Sequence, residues 1–405
     1  MNAERGGARE NRRDGVRKGW EELRLGDVCR FEKNQDIHSS LPYVGLEHIE
    51  SDTAQFLGSI YPTEVKSATF RFTNEHVLYG RLRPYLNKVL TPDFNGHCST
   101  EIFPIAPTSK LQRGYLRYWL QSAEIVQRIN ATCTGARMPR ANMSEVLNFI
   151  IPLPPVSEQQ RVVAILDEAL SGIATARANT ERNLQNARAI FESFLYNVFD
   201  QRGEGWMEKT LGDVVDEGCS LSYGIVQPGT DQPDGLPVVR PTDLGKKTIE
   251  LDGLKLIDPN LANSYRRTTL RGGDILLCVR GSTGVISMAS SALAGGNVTR
   301  GIVPINFNAA LVIQDFGYYL MCSESVQQQI RRKTYGAALM QINIRDLRKL
   351  MLSIPPLSVQ AELASRFEST LEETECLASL YQRKLAALDE LKQSLLHQAF
   401  SGQLP

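Results

Sequence analysis

The sequence lacks paired cysteines, long apolar runs and an excess of charge of either sign. Its seven cysteines include no CxxC pair and its five histidines no HExxH motif, so we expect neither a disulfide framework nor a zinc site. No apolar run approaches the roughly 20 residues of a membrane-spanning helix. With 45 basic against 45 acidic residues, the composition is not that of a general nucleic-acid coat. We expect a cytoplasmic protein with reduced thiols and no membrane contact.

Motifs that mark catalysis are missing as well. The chain has no GxxxxGK[ST] phosphate loop, no GxGxxG after a predicted strand, no (D/N/S)PPY methylation motif and no PD…(D/E)xK nuclease set. Residues 281–284, Gly-Ser-Thr-Gly, do not form the GxSxG elbow of serine hydrolases, and no histidine lies between His97 and His397. An enzyme would need a cofactor or catalytic motif that we do not find. We therefore predict no catalytic residues, and no metal or cofactor bound by this chain.

The chain does contain an internal repeat. The segment 20–28, which includes Leu-Gly-Asp-Val, returns at 206–214, and the segment 118–129 matches 319–330 at a spacing of 201 residues. A period near 200 residues is too long for a solenoid unit and indicates two copies of a whole domain with its linker. The sequence therefore predicts a pseudo-twofold repeat.

Each copy has the same internal order. Short β-type runs such as 77–79 and 102–105, or 274–279 and 301–305, precede one short amphipathic helix, predicted over 115–129 and 316–330. A proline pair then ends the globular part. We expect a disordered basic arm over 1–19, head 1 over 20–155, a central spacer helix over 156–200, head 2 over 201–356 and a C-terminal spacer helix over 357–405. The arm is either a solvated tail or a phosphate contact.

The two spacer helices are predicted from apolar residues at spacings of three and four. Ser157 is expected to be an N-cap that forms a capping box with Gln160, and the second helix is expected to start at Ser358. Helices of about 43 residues would be about 64 Å long at 1.5 Å per residue and must bury their apolar stripe, and the twin helix is the nearest partner. The fold class is therefore α+β: two globular heads of mixed β-sheet with short helices, joined by two long helices in an antiparallel coiled coil. The alternative is ordinary core helices of two separate domains.

Positive charge is concentrated in both heads. Residues 66–140 contain 11 Lys and Arg against 4 Asp and Glu, and residues 262–350 contain the same numbers, whereas residues 358–400 contain 4 against 7. A solvated basic face is the usual meaning of such an excess. Two matched basic heads on a neutral chain favour DNA, because attraction to phosphate supplies most non-specific affinity.

Reading of base edges needs Arg, Lys, Asn or Gln on a rigid scaffold. Two glycine-containing segments in each head, 80–88 with 134–142 and 279–284 with 335–345, offer such side chains. The alternative for any one residue is an ordinary surface salt bridge. The predicted DNA-binding residues are Arg81, Arg83, Asn87, Lys88, Arg137 and Arg140 in head 1, and Arg280, Ser282, Thr283, Lys333, Gln341, Asn343 and Arg345 in head 2.

The duplicated Leu-Gly-Asp openings, the run Ile-Pro-Leu-Pro-Pro-Val-Ser-Glu-Gln-Gln-Arg at 151–161, Gly-Arg-Leu-Arg-Pro-Tyr at 80–85 and the C-terminal segment 391–404 resemble the specificity (S) subunit of type I restriction–modification systems. The resemblance covers 20–404. Head 2 departs from it, with Pro-Pro-Leu-Ser-Val-Gln-Ala-Glu at 355–362 and Gly281-Ser282 where head 1 has Arg83-Pro84.

The resemblance implies that each head is a target recognition domain that binds one half of a split double-stranded DNA site. It implies that the helices fix the gap between the halves. The implied partners are two methyltransferase (M) subunits with S-adenosylmethionine and two restriction (R) subunits with ATP and Mg. The alternatives are a specificity subunit of another restriction or phage-defence system, which neighbouring genes would distinguish, and a coiled-coil scaffold with two protein-binding heads, which predicts no affinity for duplex DNA.

Overall fold

The computed structural model describes residues 19–38, 40–63, 65–135, 137–337 and 339–404, so the predicted basic arm lies outside the described residues apart from Gly19. The chain divides into two compact units. Unit 1 comprises residues up to 181 together with those from 383 onward, and unit 2 comprises residues 182–382. Each unit therefore contains one head and about half of each long helix.

Head 1 is built on two four-stranded sheets of short strands, which are short because turn residues interrupt every apolar run. In one sheet all neighbours are antiparallel, in the order Cys29–Phe31, Ile102–Pro107, Val77–Gly80 and Val89–Leu90. In the other the last pair is parallel, in the order Gln35–Asp36, Thr69–Phe72, Gly96–Cys98 and Tyr43–Val44. The predicted strands at 77–79 and 102–105 are confirmed and lie side by side, with Tyr79 opposite Phe103.

The first and last strands of head 1 form a separate two-stranded sheet. Glu21–Arg24 pairs antiparallel with Ile150–Leu153, so that Leu23 lies opposite Ile151. The last strand of the head, immediately before the proline pair, thus pairs with its first strand. Its helices are Leu25–Val28, Arg113–Gln121, Ala123–Ala131 and Met143–Val146, with 3-10 turns at Leu46–His48 and Pro84–Leu86.

Head 2 repeats this plan with different sheets. One sheet has the order Thr248–Ile249, Ile286–Ala289, Ile275–Cys278 and Ile302–Ile305, and a second has the order Lys255–Ile257, Leu236–Val239 and Asn297–Val298. Its closing pair is Met207–Thr210 with Met351–Ile354. Its helices are Leu211–Val214, Pro259–Ala262, Gln314–Cys322, Glu324–Lys333 and Ile344–Arg348, with 3-10 turns at Pro241–Asp243, Asn263–Thr268 and Ser291–Leu293.

The prediction of a single amphipathic helix at the end of each head is wrong. Two consecutive helices are present in each, because Ser122 and Ser323 adopt extended backbone with ψ of 140° and 145°. Each serine hydroxyl donates to the carbonyl of the residue three before it, Trp119 or Leu320. The apolar stripe continues across the break, so periodicity alone could not reveal it.

The two long helices are Val156–Asp200, here called the central helix, and Leu357–Ser401, the terminal helix, each of 45 residues. The sequence predicted these helices over 156–200 and 357–405, and the capping box predicted at the start of the first one is wrong. The central helix begins one residue before Ser157, and the carbonyl of Pro155 accepts hydrogen bonds from the amides of Glu158 and Gln159. Proline at 155 fixes a φ that suits the helix start, so Ser157 is already helical.

The helices pack antiparallel within each unit. The core of unit 1 contains Leu166 near the start of the central helix and Leu396 and Ala399 near the end of the terminal helix. The core of unit 2 contains Phe199 from the end of the central helix and Phe367 from the start of the terminal helix, with ring centroids 5.9 Å apart. This burial explains the apolar stripes. No described helix combines the length and apolarity needed to cross a membrane.

Candidate nucleic-acid interface

The two candidate segments of head 1 lie against each other. The Arg83 amide donates to the Pro139 carbonyl at 2.8 Å, and the Ala141 amide donates to the Arg81 carbonyl at 2.9 Å. Thr134 and Arg140 close the second segment into a loop through two reciprocal backbone bonds of 3.1 Å. We call these two segments, 80–88 and 134–142, the loop pair of head 1.

The loop pair of head 2, 279–284 with 335–345, is joined by the same pattern. The Gly281 amide donates to the Met340 carbonyl at 2.8 Å, and the Ile342 amide donates to the Val279 carbonyl at 3.0 Å. Tyr335 and Gln341 repeat the reciprocal closure at 2.9 and 2.8 Å. Backbone groups that are more than 50 positions apart in sequence are thus hydrogen-bonded in both heads.

These bonds make Arg83 and Gly281 equivalent, and both have left-handed backbone, with φ of 52° and 86°. Glycine adopts this conformation without a steric cost, whereas a long side chain adopts it at a cost of roughly 1–2 kcal/mol. Head 1 therefore holds a cationic side chain at a strained position, which the buried Pro84 and the following 3-10 turn help to fix.

Glu101 links the two segments of head 1 through side chains. Its carboxylate accepts a hydrogen bond from Arg81 Nε at 3.1 Å and from Arg140 Nε at 2.9 Å. Burial alone would raise the pKa of Glu101, but the hydrogen bonds and charges of Arg140 and Arg81 outweigh it and hold this pKa below its ordinary value. Arg81 also lies over the ring of Phe103 at 5.1 Å.

Two further predicted residues of head 1 point inward. Lys88 Nζ donates to the carbonyls of Leu46 and Ile49 at 2.7 and 2.8 Å. Asn87 is buried, and its Nδ2 donates to Asp52 Oδ1 at 2.8 Å. Both side chains therefore stabilise the scaffold of the loop pair, and DNA contact by either stays a prediction.

Arg83 and Arg137 are the predicted cations of head 1 that remain exposed. Neither side chain has a hydrogen-bond or ion-pair partner among the described residues. Tyr85 and Met138 beside them are 52% and 46% exposed. A rigid backbone thus presents two unpaired guanidinium groups with apolar neighbours, which is the chemistry that reading of guanine edges or binding of phosphate uses.

Head 2 presents a different set. Arg345 and Ser282 are exposed, while Arg280 and Lys333 are half-buried, and within the described chain none of these four side chains has a partner. Thr283 Oγ1 donates to the Met340 carbonyl at 3.2 Å. Asn343 Oδ1 accepts from the Asp346 amide at 2.9 Å and so caps a short helix. Gln341 enters the loop pair through its backbone.

Sequence reasoning missed the residues that fix each head on its helix. Gln159 is fully buried; its Oε1 accepts from the Gln112 amide at 2.8 Å, and its Nε2 donates to the carbonyls of Lys110 and Pro154. Gln360 makes the same three bonds, to Ile313, Leu311 and Pro355. The signal was present, because these glutamines are 201 residues apart and each follows a proline pair at the same distance.

A second repeated contact supports this attachment. Tyr118 donates to Asp167 Oδ1 of the central helix at 2.5 Å, and Tyr319 donates to Glu368 Oε2 of the terminal helix at 2.6 Å. A cation completes each cluster, Arg117 in head 1 and Lys247 in head 2. The orientation of each head on its helical segment is therefore fixed by a buried glutamine and by a partly exposed tyrosine–carboxylate cluster.

The described residues contain no cluster of three or more His, Cys, Asp or Glu side chains with metal-binding geometry. Burial raises the pKa of the Cys29 thiol to about 12, which keeps it protonated and unreactive. The geometry therefore suits recognition by exposed polar and cationic groups.

The sequence is similar to those of specificity subunits of type I restriction enzymes. A family model described as type I restriction modification DNA specificity domain matches residues 17–182 and 203–382. The specificity subunit of the type I restriction enzyme EcoBI from Escherichia coli is 24% identical over 298 residues, which are 68% of this chain and 63% of that protein. The MjaVIII specificity subunit from Methanocaldococcus jannaschii is 20% identical over an alignment of 433 positions, which covers 96% of this chain and 94% of that protein.

The chain thus spans about 63% of the EcoBI subunit and 41% of the EcoDI subunit. Among solved structures, a chain from work on assembly and conformational transition of the type I R-M system superposes with a TM-score of 0.75 at 22% identity, covering 95% of this chain and 98% of that one. The HsdS subunit from Thermoanaerobacter tengcongensis gives 0.62 at 20% identity, with 96% and 98% covered. These likenesses establish the fold.

Proposed function

The chain belongs to the family of type I restriction modification DNA specificity domains, and from this membership we propose that it selects the DNA sequence on which partner enzymes act. It has no catalytic role in this proposal. Each head binds one half of a bipartite duplex site, and the two long helices set the number of unread base pairs between the halves.

The loop pairs carry this proposal. In both heads the same backbone bonds hold two segments together, and the side chains on those segments differ between heads. Arg83 and Arg137 are the base-reading candidates in head 1, and Arg280, Lys333 and Arg345 are those in head 2. A common scaffold with different donors suits an asymmetric site whose halves have different sequences.

The partners follow from the family. We propose that two methyltransferase (M) subunits supply S-adenosylmethionine and adenine methylation, and that two restriction (R) subunits supply ATP- and Mg-dependent cleavage. The chain binds none of these cofactors itself. In this proposal the loop pairs bind DNA, and the partner subunits bind the outer faces of the long helices.

Methylation mapping tests the proposal directly. The full chain is co-expressed with the methyltransferase encoded beside it, and methylated adenines are located genome-wide by single-molecule sequencing. We expect a bipartite motif with a fixed gap that disappears when the chain is omitted. An assembled complex that methylates no such motif would contradict the proposal and favour a protein-binding scaffold.

A second experiment tests the role of the helices. Insertion of four residues after Asn183 adds about 6 Å of helix. We expect the methylated motif to keep both halves and to change its gap. A variant that methylates the unaltered site with normal efficiency would show that the helices do not set the spacing.

A further inference from the structure

The closing strands of the two heads, Ile150–Leu153 and Met351–Ile354, differ in whether their outer edge is covered. In unit 1 the Leu25 amide donates to the Phe149 carbonyl at 2.8 Å, and in unit 2 the Leu211 amide donates to the Leu350 carbonyl at 2.8 Å. Bonded and non-bonded pairs alternate along an antiparallel ladder. The backbone N–H and C=O of Ile150 and of Met351 therefore point away from the partner strand.

In unit 2 a glutamine covers this outward backbone. Gln329 Oε1 accepts from the Met351 amide at 2.8 Å, and Gln329 Nε2 donates to the Met351 carbonyl at 2.9 Å. A carboxamide has the same donor and acceptor as a peptide group. Gln329 thus makes with Met351 the two hydrogen bonds that a residue of a neighbouring strand would make.

In unit 1 the equivalent residue, 201 positions earlier, is Arg128. Arg128 cannot make the same pair of hydrogen bonds. A guanidinium has no acceptor for the Ile150 amide. Arg128 lies instead over the ring of Phe149 at 4.4 Å and pairs with Glu124 at 3.6 Å. The N–H and C=O of Ile150, which point away from the paired strand Glu21–Arg24, have no hydrogen-bond partner among the described residues.

A cavity of about 420 Å³ adjoins this open edge. Trp119, Ile125, Leu396 and Phe400 contribute apolar surface to its lining, together with Ile150 itself. An aliphatic side chain next to a residue paired with Ile150 would fill this space. The rim includes the carboxylates Glu22 and Glu124 against the single guanidinium of Arg128, which disfavours phosphate and hence DNA.

We propose that this surface of unit 1, the Ile150 edge with its cavity, docks a short extended peptide segment of a partner protein. One residue of that segment pairs with the N–H and C=O of Ile150, and an adjacent aliphatic side chain enters the cavity. Unit 2 does not offer the same site, because Gln329 already occupies the outward backbone of Met351. The surface therefore gives two otherwise similar units different partners, and it does so independently of DNA recognition.

Amide hydrogen exchange on the full chain tests the premise. We expect the Ile150 amide to exchange at least tenfold faster than the Met351 amide. The variant Arg128→Gln, which copies unit 2, should slow exchange at Ile150, and Gln329→Arg should accelerate it at Met351. Equal protection of both amides in the unaltered chain would overturn the proposal.

Peptide selection tests the binding. Random heptapeptides displayed on phage are selected on the full chain, and the enriched peptides are measured against Arg128→Gln and Arg128→Lys. We expect enriched peptides to share an aliphatic residue, to lose at least tenfold affinity for Arg128→Gln and to bind Arg128→Lys unchanged, since lysine leaves the Ile150 edge open.

Failure to enrich any peptide, or equal binding to Arg128→Gln, would refute the docking site. Self-association of the chain that Arg128→Gln abolishes would identify a second copy as the occupant and would also overturn the proposal. None of these results depends on DNA binding or on methylation, so a failure here leaves the proposed function standing.

Discussion

Heads 1 and 2 share the backbone of their loop pairs but differ in what holds the segments together. In head 1 the carboxylate of Glu101 binds Arg81 and Arg140 across the two segments. The backbone bonds of head 2 place Gly301 at the position of Glu101, Val279 at that of Arg81 and Gln341 at that of Arg140. An ionic cluster in one head is therefore replaced by neutral residues in the other.

This difference separates the scaffold from the reading groups. The backbone bonds between the segments, the buried glutamine at the start of each helix and the tyrosine–carboxylate contact are present in both units. The side chains exposed on the loop pairs, in contrast, differ between the two heads. Duplication has thus kept the parts that position a loop pair and changed the parts that would contact DNA.

The largest expected effect is on the shared scaffold. Gln159 is fully buried, and its replacement by Ala leaves the Gln112 amide and the carbonyls of Lys110 and Pro154, which are buried or partly buried, without their partner. We expect the free energy of unfolding to fall by about 3–5 kcal/mol, because each unsatisfied buried group costs about 1–3 kcal/mol and partial relaxation offsets some of this. Denaturant unfolding would measure the loss.

The comparison predicts a similar loss for Gln360→Ala in unit 2. Gln160→Ala is the matched control, since Gln160 is an exposed neighbour on the same helix and surface substitutions change stability by less than about 0.5 kcal/mol. A Gln159→Ala variant as stable as the Gln160→Ala control would show that the head is attached to the helix by other contacts.

The second prediction concerns the exposed cations of head 1. Arg83→Ala is expected to weaken binding of the assembled complex to its own site by about 1–3 kcal/mol if the guanidinium reads a base, and Arg137→Ala by a comparable amount. Affinity is measured by fluorescence anisotropy with duplexes that carry the mapped motif. Lys110→Ala is the control, because Lys110 is exposed and lies beside the start of the central helix.

A base reader and a phosphate contact give different results in this experiment. Loss of a base reader relaxes specificity at one position of the half-site, whereas loss of a phosphate contact weakens all sequences alike and lowers the salt dependence. Affinity and specificity unchanged in both arginine variants would remove Arg83 and Arg137 from the interface.

The ionic cluster makes a prediction about pH that applies to head 1 alone. The pKa of Glu101 is lowered in the folded chain, so its ion pairs stabilise the loop pair above the ordinary carboxyl pKa of about 4.3. That stabilisation is lost as the pH falls through the lower folded pKa. The loop pair of head 2 has Gly301 in this place and should not respond.

Amide exchange of Arg140 and Ala141 in head 1 and of Gln341 and Ile342 in head 2, corrected for intrinsic rates, would measure this difference. We expect protection of the first segment to decrease relative to that of the second as the pH falls below the ordinary carboxyl pKa and through the lower pKa of Glu101 in the folded chain. At pH 7 the variant Glu101→Gln should reproduce the loss in head 1 without acid. Equal pH dependence of the two segments would mean that the backbone bonds alone hold the loop pair of head 1.

The sequence predicted the repeat, the long helices and two strands of each head, because these depend on periodicity and on matches between copies. It did not predict the break at Ser122, where an apolar stripe continues through a local change of backbone. It also could not reveal that Arg81, Arg140 and Lys88 have internal partners while Arg83 and Arg137 do not. Those partnerships depend on contacts between segments distant in the chain, which a list of cationic residues does not contain.

The smallest expected effect on stability is that of a substitution at Arg83, where one residue of head 1 is exchanged for its counterpart in head 2. Arg83 has a φ of 52° where head 2 has Gly281. The variant Arg83→Gly removes the steric cost of left-handed backbone, while glycine adds conformational freedom to the unfolded chain. We expect stability to rise by at most about 1 kcal/mol and the affinity for DNA to fall as in Arg83→Ala. Parallel measurement of unfolding and of DNA binding checks both. A gain in stability with a loss of binding would mean that head 1 keeps a strained arginine for recognition, whereas unchanged DNA binding would mean that Arg83 has no role in reading the site.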